Sequence, residues 1–386
     1  MRRILMGPVL AVLLLSTTVV GQGRTAPSGL MCELMARPER VQIGDSRPEF
    51  SWIAGSVDDS GRQTAYQILV ASDRAGLDQD RANCWDSGKI SSSRSTGIEY
   101  AGKSLSSNAT YFWKVRTWDQ DGQAGPFSES QTFRTGRLDG PYETTRYPLA
   151  TTTVQPTRVV KKAEGSYFVD FGKAAFGTVE LTLTSPEAGR QVEVHLGEVP
   201  AGSDAIDRNP GGSRRYRMMT LTLDQGTRTY RMAITPDKRN TGGQAIKMPQ
   251  SVGEVMPFRY CEIANSPCEI DASAIRQLAV HYPFDAAAAR FSSADPVLND
   301  VWELCKYSIK ATSFCGVYVD GDRERIPYEA DAYINQLCHY CVDREYTMAR
   351  YSHEYLITHA TWPTEWSLHS VFMAWADYLY TGDADS

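Results

Sequence analysis

Five carboxylates fall within twelve residues in the stretch YVDGDRERIPYEADAY, Tyr318 to Tyr333: Asp320, Asp322, Glu324, Glu329 and Asp331, with Arg323 and Arg325 between them. Neighbouring carboxylates repel, so at least one pKa rises, while an interleaved arginine pushes others down. One environment can thereby supply both an acid and a base at neutral pH. Hydrolysis of a glycosidic bond asks for such a set: a protonated carboxyl gives the leaving oxygen its proton, and further carboxylates hold sugar hydroxyls. Tyr318, Tyr328, Tyr333, Trp362 and Trp366 are available as apolar walls of a sugar pocket. The same residues also read as a solvated loop running into a helix, because Glu329 and Asp331 follow Pro327 and suit a helix N-terminus.

The elements around this stretch are helical. SSADPVLNDVWELCKYSIKATSF opens with Asp295 as an N-cap and Pro296 at the first helical position, and Val297, Val301, Leu304, Ser308 and Ile309 repeat at helical spacing. YEADAYINQLCHYCVD, REYTMARYSHEYLITH and TEWSLHSVFMAWADYLYTGD complete about four antiparallel helices over residues 290–386. Trp366, Phe372, Met373, Trp375, Tyr378 and Tyr380 wrap most of the last one, so one packed side alone cannot bury them.

Everything earlier alternates as strands. TAYQILVAS and TYFWKVRTWD, with Tyr111, Trp113 and Val115 on one face, predict a small fibronectin III or immunoglobulin-like sandwich over residues 27–137. A second, larger, jelly-roll-like sandwich is expected over residues 145–285. There SYFVDFGKAAFGTVELTLTS reads as a strand, a glycine-rich turn and a strand, with Val179, Leu181 and Leu183 inward. No cluster in this second sandwich looks catalytic, and it reads as scaffolding.

Composition narrows the class. The chain has 386 residues, 42% hydrophobic and 22% charged, and can bury sizeable cores. A formal net charge of −6 argues against nucleic-acid binding. Residues 1–21 carry Arg2 and Arg3, a short apolar run and small residues, the pattern of a secretory leader with cleavage after Gly21. The mature chain is therefore expected to be exported (periplasmic, cell-surface or extracellular) with no membrane span. Its eight cysteines could pair in that setting. Cys338 and Cys341 have CxxC spacing inside an apolar helical pattern and are expected to be buried as small apolar side chains. No second CxxC or histidine pair completes a metal site, and no cofactor is implied.

DGDRERIPYEADAYINQL, preceded by FSSADPVLNDVWELCKYSIKAT and followed by TWPTEWSLHSVFMAWADYLYTGD, resembles the α-L-rhamnosidases of glycoside hydrolase family 78. PEFSWIAG, QTAYQILVAS, CWDSGKI, YFWKVRTWDQDG and VDFGKAAFGTVEL are similar to the N-terminal β-modules of the same enzymes, so the resemblance runs through three successive regions. It implies that Glu324 is the general acid and that Asp331, seven residues on, binds rhamnose hydroxyls. Asp320 matches the family's leading acidic residue at a slightly shorter spacing, with Asp322 as the competing candidate. Arg323 is expected to touch both sugar and carboxylates. Tyr328 stands where many members have tryptophan and would stack on the sugar. Trp362 or Trp366 would wall the pocket.

The family inverts, with a glutamate far downstream on a twelve-helix (α/α)6 barrel as general base. This chain offers about four helices, so the resemblance implies a catalytic domain cut short, without that base. Glu365 lies on a suitable loop but is not assigned the role. The partner implied is a rhamnose-containing glycoside or polysaccharide. The alternative is a non-catalytic carbohydrate-binding or scaffold fragment, or a helical-barrel enzyme for another sugar. Natural substrate and oligomeric state are left open.

Overall fold

The computed structural model describes residues 25–55, 62–140 and 143–384; the leader pattern of residues 1–21 lies outside them. Among the described residues no helix is long and apolar enough to cross a membrane.

The first module is immunoglobulin-like. Strands β1 (Ser28–Cys32), β2 (Glu49–Ile53) and β6 (Ile98–Glu99) form one sheet. β3 (Ala65–Ala71), β4 (Trp85–Asp86), β5 (Ile90–Ser91), β7 (Thr110–Trp118) and β8 (Gln131–Arg134) form the other. Tyr111, Trp113 and Val115 of β7 point between the sheets, as their alternation predicts, and Trp113 packs on Phe50 with ring centroids 4.5 Å apart. The opposite face of β7 is covered as well. The short helix α1 (Arg74–Asp78), capped by Asp73, lays Leu77 over Leu69 and Phe112, and Lys114 reaches Asp80 at 2.5 Å while lying over the Phe127 ring.

The second module is one eight-stranded antiparallel sheet. Its strands are β9 (Ala150–Val154), β10 (Arg158–Ala163), β11 (Ser166–Ser185), β12 (Gln191–Gly197), β13 (Tyr216–Thr222), β14 (Gly226–Arg231), β15 (Met256–Ala264) and β16 (Ile275–His281). β11 corrects the sequence reading. It is a single strand of 20 residues, not two strands around a turn. Its first half lies between β10 and β15, and its second half between β16 and β14.

The glycine region of β11 makes a bulge, with the register to β15 shifting between Asp170 and Ala175. Asp170 fixes it by accepting the Gly172 N–H at 2.7 Å and the Arg259 guanidinium at 2.8 and 2.9 Å. Beyond the bulge, the backbone of Gly177 runs so close to Leu278 that a Cβ would clash with the Leu278 carbonyl. Val179, Leu181 and Leu183 are buried in this module's own core. A one-turn helix, α2 (Lys238–Thr241), follows β14.

Four helices follow the sheet: α3 (Pro296–Thr312), α4 (Glu329–Val342), α5 (Thr347–Thr358) and α6 (His369–Thr381), the last entered through a 3-10 turn at Thr364–Leu368. Asp295 caps α3 by accepting the Val297 N–H at 2.8 Å, with Pro296 in its first turn. α6 ends at Gly382, whose φ of +72° is the left-handed C-terminal cap.

α4, α5 and α6 share buried Ala332, Tyr340, Leu356 and Met373, tied by Tyr340 to Asp377 at 2.6 Å and by Arg350 to Asp377 and Asp383. The outer faces are apolar and open: Val297, Val301 and Leu304 on α3, Ile334 on α4, Ile357 on α5, and Val371, Phe372, Trp375 and Leu379 on α6. Cys338 and Cys341 lie on this outer side. They are exposed, against expectation, with Cys341 Sγ at the edge of the α6 contact, 3.9 Å from the Tyr380 hydroxyl. All eight cysteines are free thiols.

Candidate active site

The carboxylate stretch forms a tight loop between α3 and α4. Phe314, stacked on Phe176 of β11 at 3.8 Å, anchors its start against the sheet. The Asp320 N–H donates to the Ile326 carbonyl at 3.2 Å, and the Ile326 N–H returns to Asp320 Oδ1 at 3.4 Å, so residues 320–326 close on themselves. Gly321 at φ +92° makes the turn. Tyr318 is buried with its hydroxyl 2.7 Å from His339 Nδ1; it supports the loop from beneath and is no pocket wall.

The expected site residues divide into two groups. Glu324 is half-exposed and accepts the Tyr328 hydroxyl at 2.6 Å. Arg323 bridges, with Nε 3.2 Å from Asp320 Oδ2 and 3.7 Å from Glu324 Oε1. Asp331 sits in the first turn of α4. Trp366 meets Tyr328 edge-on, with centroids 5.7 Å apart. These residues are together.

Three others are placed differently. Trp362 is 85% exposed, and Trp366 is the tryptophan in ring contact with Tyr328. Asp322 is turned into the sheet: its carboxylate accepts from Arg215 Nε at 2.6 Å, Asn240 Nδ2 at 2.6 Å and Arg325 Nη2 at 3.2 Å. Glu329 is buried and accepts the Thr361 N–H at 3.0 Å together with the Thr361 hydroxyl.

Asp320, Asp322, Arg323 and Asp331 line an open cavity of about 460 Å³. Its other wall belongs to the second β-module: Phe176, Glu198 just after β12, Ser213, Arg214 and Pro257. Sequence reading missed this wall. Glu198 is separated from Asp320 by more than a hundred residues and has no motif; the glycine- and arginine-rich RNPGGSRRYR, residues 208–217, was the available hint. Burial pushes the carboxyls of Asp320, Asp331 and Glu198 above the usual range. Arg323 opposes the shift at the first two, and the Arg215 N–H opposes it at Glu198. Desolvated acids beside the arginines Arg214 and Arg323, in a cleft walled partly by Phe176, can hold hydroxyl groups and move a proton. Among the described residues, no group of three or more His, Cys, Asp or Glu is arranged to hold a metal ion.

Comparison with known proteins accords with this architecture. Three families match in succession: a Rha78A-like N-terminal immunoglobulin domain over residues 27–139, a bacterial alpha-L-rhamnosidase concanavalin-like domain over 160–281, and a bacterial alpha-L-rhamnosidase 6 hairpin glycosidase domain over 286–386. An alpha-L-rhamnosidase of Formosa agariphila is 42% identical over 106 residues, 28% of this chain and 11% of that protein. One of Streptomyces avermitilis is 40% identical over 114 residues, 30% of this chain and 10% of that protein. These alignments span about a tenth of each relative.

Among solved structures, the alpha-L-rhamnosidase of Dictyoglumus thermophilum superposes with a TM-score of 0.71 at 15% identity, covering 91% of this chain and 61% of that one. The Streptomyces avermitilis alpha-L-rhamnosidase complexed with L-rhamnose gives 0.67 at 12%, covering 87% and 65%. At such identity these two speak for the fold alone. The immunoglobulin-like module, the concanavalin-like sheet and the run of helices thus each match a domain family of the α-L-rhamnosidases, and the chain is similar to those enzymes over residues 27–139, 160–281 and 286–386.

Proposed function

We propose that this chain carries the acid half of a glycosidase site that removes terminal α-L-rhamnose from glycosides or polysaccharides with inversion. Glu324 is the proton donor, and Asp320, Arg323 and Asp331 hold the sugar. The observation that carries the reading is the placement of Glu324. It accepts the Tyr328 hydroxyl at 2.6 Å and is bridged by Arg323 to Asp320, and both Arg323 and Asp320 line the acid-rich cavity. Trp366 and Tyr328 supply the ring surface. Asp322 lines the same cavity, and its carboxylate, held by Arg215, Asn240 and Arg325, also anchors the loop.

Inversion requires a second carboxylate roughly 6.5–9.5 Å from the acid to activate water. The resemblance puts it on later helices of an (α/α)6 barrel. We read α3–α6 as the first helices of such a barrel, and their open apolar faces support this, since an amphipathic helix buries its apolar side against neighbours. Export is proposed from the leader pattern of residues 1–21 alone.

The test is Glu324→Gln in the protein expressed from its own gene. Hydrolysis of an aryl α-L-rhamnoside should fall by roughly two to four orders of magnitude with the melting temperature unchanged. Near-normal turnover would sink the assignment. Retained rhamnose binding without hydrolysis by the unmutated protein would point instead to a carbohydrate-binding role.

A further inference from the structure

We infer that the second β-module orients the proton-donor loop through two buried ties, Arg215 to Asp322 and Glu254 to Arg325, so that Arg215, Asn240 and Glu254 are positioning residues for the reaction. This rests on the reading of Glu324 as proton donor.

The ties bracket Glu324. Two residues before it, Asp322 receives Arg215 Nε on one carboxylate oxygen and Asn240 Nδ2 on the other, each at 2.6 Å, while its carbonyl accepts Arg215 Nη2 as well. Immediately after it, Arg325 is fully buried and donates from Nη2 to Glu254 Oε1 at 2.6 Å and to Asp322 Oδ1 at 3.2 Å. The Arg325 carbonyl accepts the Ile246 N–H at 2.8 Å. Arg215 precedes β13, and Asn240, Ile246 and Glu254 come from the segment that carries α2 between β14 and β15, so all four belong to the second β-module.

Two features mark this arrangement as serving geometry. Arg325 has a φ of +57°, a left-handed conformation that a residue with an unbranched Cβ seldom adopts without being held there. Among the described residues its buried Nε and Nη1 have no hydrogen-bond partner, and the guanidinium lies 5.3 Å from the Phe314 ring centroid. A buried ion network is often replaceable by well-packed apolar residues without loss of stability. An incompletely satisfied arginine in a strained backbone, next to the proposed acid, therefore points to positioning. The backbone on both sides of Glu324 is fixed to the sheet, while the Glu324 side chain stays half-exposed to meet a substrate.

Glu254→Ala and Glu254→Gln test this in the protein expressed from its own gene, by hydrogen exchange of each segment and by kinetics on an aryl α-L-rhamnoside. In Glu254→Ala the amides of residues 318–328 should exchange at least about tenfold faster, while β12, β15 and α4–α6 keep their protection. kcat should fall about tenfold or more with KM changed less than about twofold, as expected when a reacting group is displaced rather than removed. Glu254→Gln, which still accepts a hydrogen bond, should recover most of both. Unchanged exchange at 318–328, exchange rising everywhere together, or a loosened loop with normal kcat would each overturn the inference. An unmutated protein that hydrolyses no rhamnoside defeats the reading of Glu324, and the exchange result still decides whether the ties hold the loop.

Discussion

Tyr328 joins the two kinds of contact that a sugar pocket needs. Its hydroxyl donates to Glu324 and its ring lies edge-on to Trp366. Burial and the Glu324 hydrogen bond push the phenol up to about 12, so it remains a donor throughout the range in which the protein would work. Tyr328→Phe keeps the ring and removes the donor. A typical hydrogen bond is worth about 0.5–1.5 kcal/mol net, so kcat should drop roughly two- to tenfold while the fold is kept, measured by kinetics beside thermal melting. Asp320 and Asp331 give a pH dependence. Burial raises both, so each stays protonated to a higher pH than an ordinary aspartate. If ionised Asp331 accepts sugar hydroxyls, kcat/KM should decline on the acid side at a pH above the usual aspartate value of about 4. Asp331→Asn should weaken substrate capture and remove part of that decline. These residues were legible because they are packed into one stretch of chain, whereas Glu198, Ser213 and Arg214 become neighbours of Asp320 only through the fold.

Two elements show what alternation and periodicity can and cannot convey. The inward set Val179, Leu181 and Leu183 was readable from β11 because a strand with one buried face declares it every second residue. The continuity of β11 was not, since whether a glycine stretch reverses the chain or bulges it depends on partners such as Arg259, found 89 residues away. Likewise α4 was recognisable as a helix, but which of its side chains would be covered depended on the packing of its neighbours, and Cys338 and Cys341 proved exposed. Glu329 illustrates the same point. Its place at the head of α4 was readable, but its capture of Thr361, which ties the segment before the 3-10 turn to the helix, was not. Glu329→Ala leaves the Thr361 donors without that partner and should destabilise the protein by about 1–3 kcal/mol in denaturant titration. Trp366, carried on the adjoining turn, should then lose its fixed contact with Tyr328, which tryptophan fluorescence would detect.

At the scale of the molecule, the immunoglobulin-like module and the helices share one apolar core. Met31, Met35 and Phe50 belong to the same buried cluster as Tyr282, Tyr318, Tyr340 and Met348. Along this junction lies a cavity of about 430 Å³ lined by Glu33, Asp45, Glu49, Arg350 and Asp383 among others. Burial, with Asp45 and Glu49 nearby, raises Glu33 to about 8, against the Glu49 N–H it accepts at 2.8 Å and the distant pull of Arg350. A carboxyl whose folded pKa lies above its unfolded one contributes stability that is full below the unfolded value, about 4.3, and is lost as pH rises through about 8. The protein should therefore lose stability between pH 5 and 8, and Glu33→Gln should flatten that slope, leaving the variant about 2–4 °C more stable at the alkaline end by scanning calorimetry.

The linker between the β-modules is part of the same junction. Thr144 donates to Glu354 of α5 at 2.5 Å, Arg146 lies over the Tyr351 ring, and the Tyr147 N–H donates to the Tyr282 hydroxyl, itself 2.9 Å from Thr347. Tyr147 in turn accepts the Arg37 N–H at 2.9 Å. Four stretches of chain thus meet in a single knot of hydroxyls, and the modules are not beads that can be exchanged one at a time. A chimera that borrows the first module from a relative should fold well only if the loop bearing Arg37, the linker, the end of β16 and the start of α5 travel together, so that shuffling among these enzymes is constrained by a seam rather than by domain boundaries.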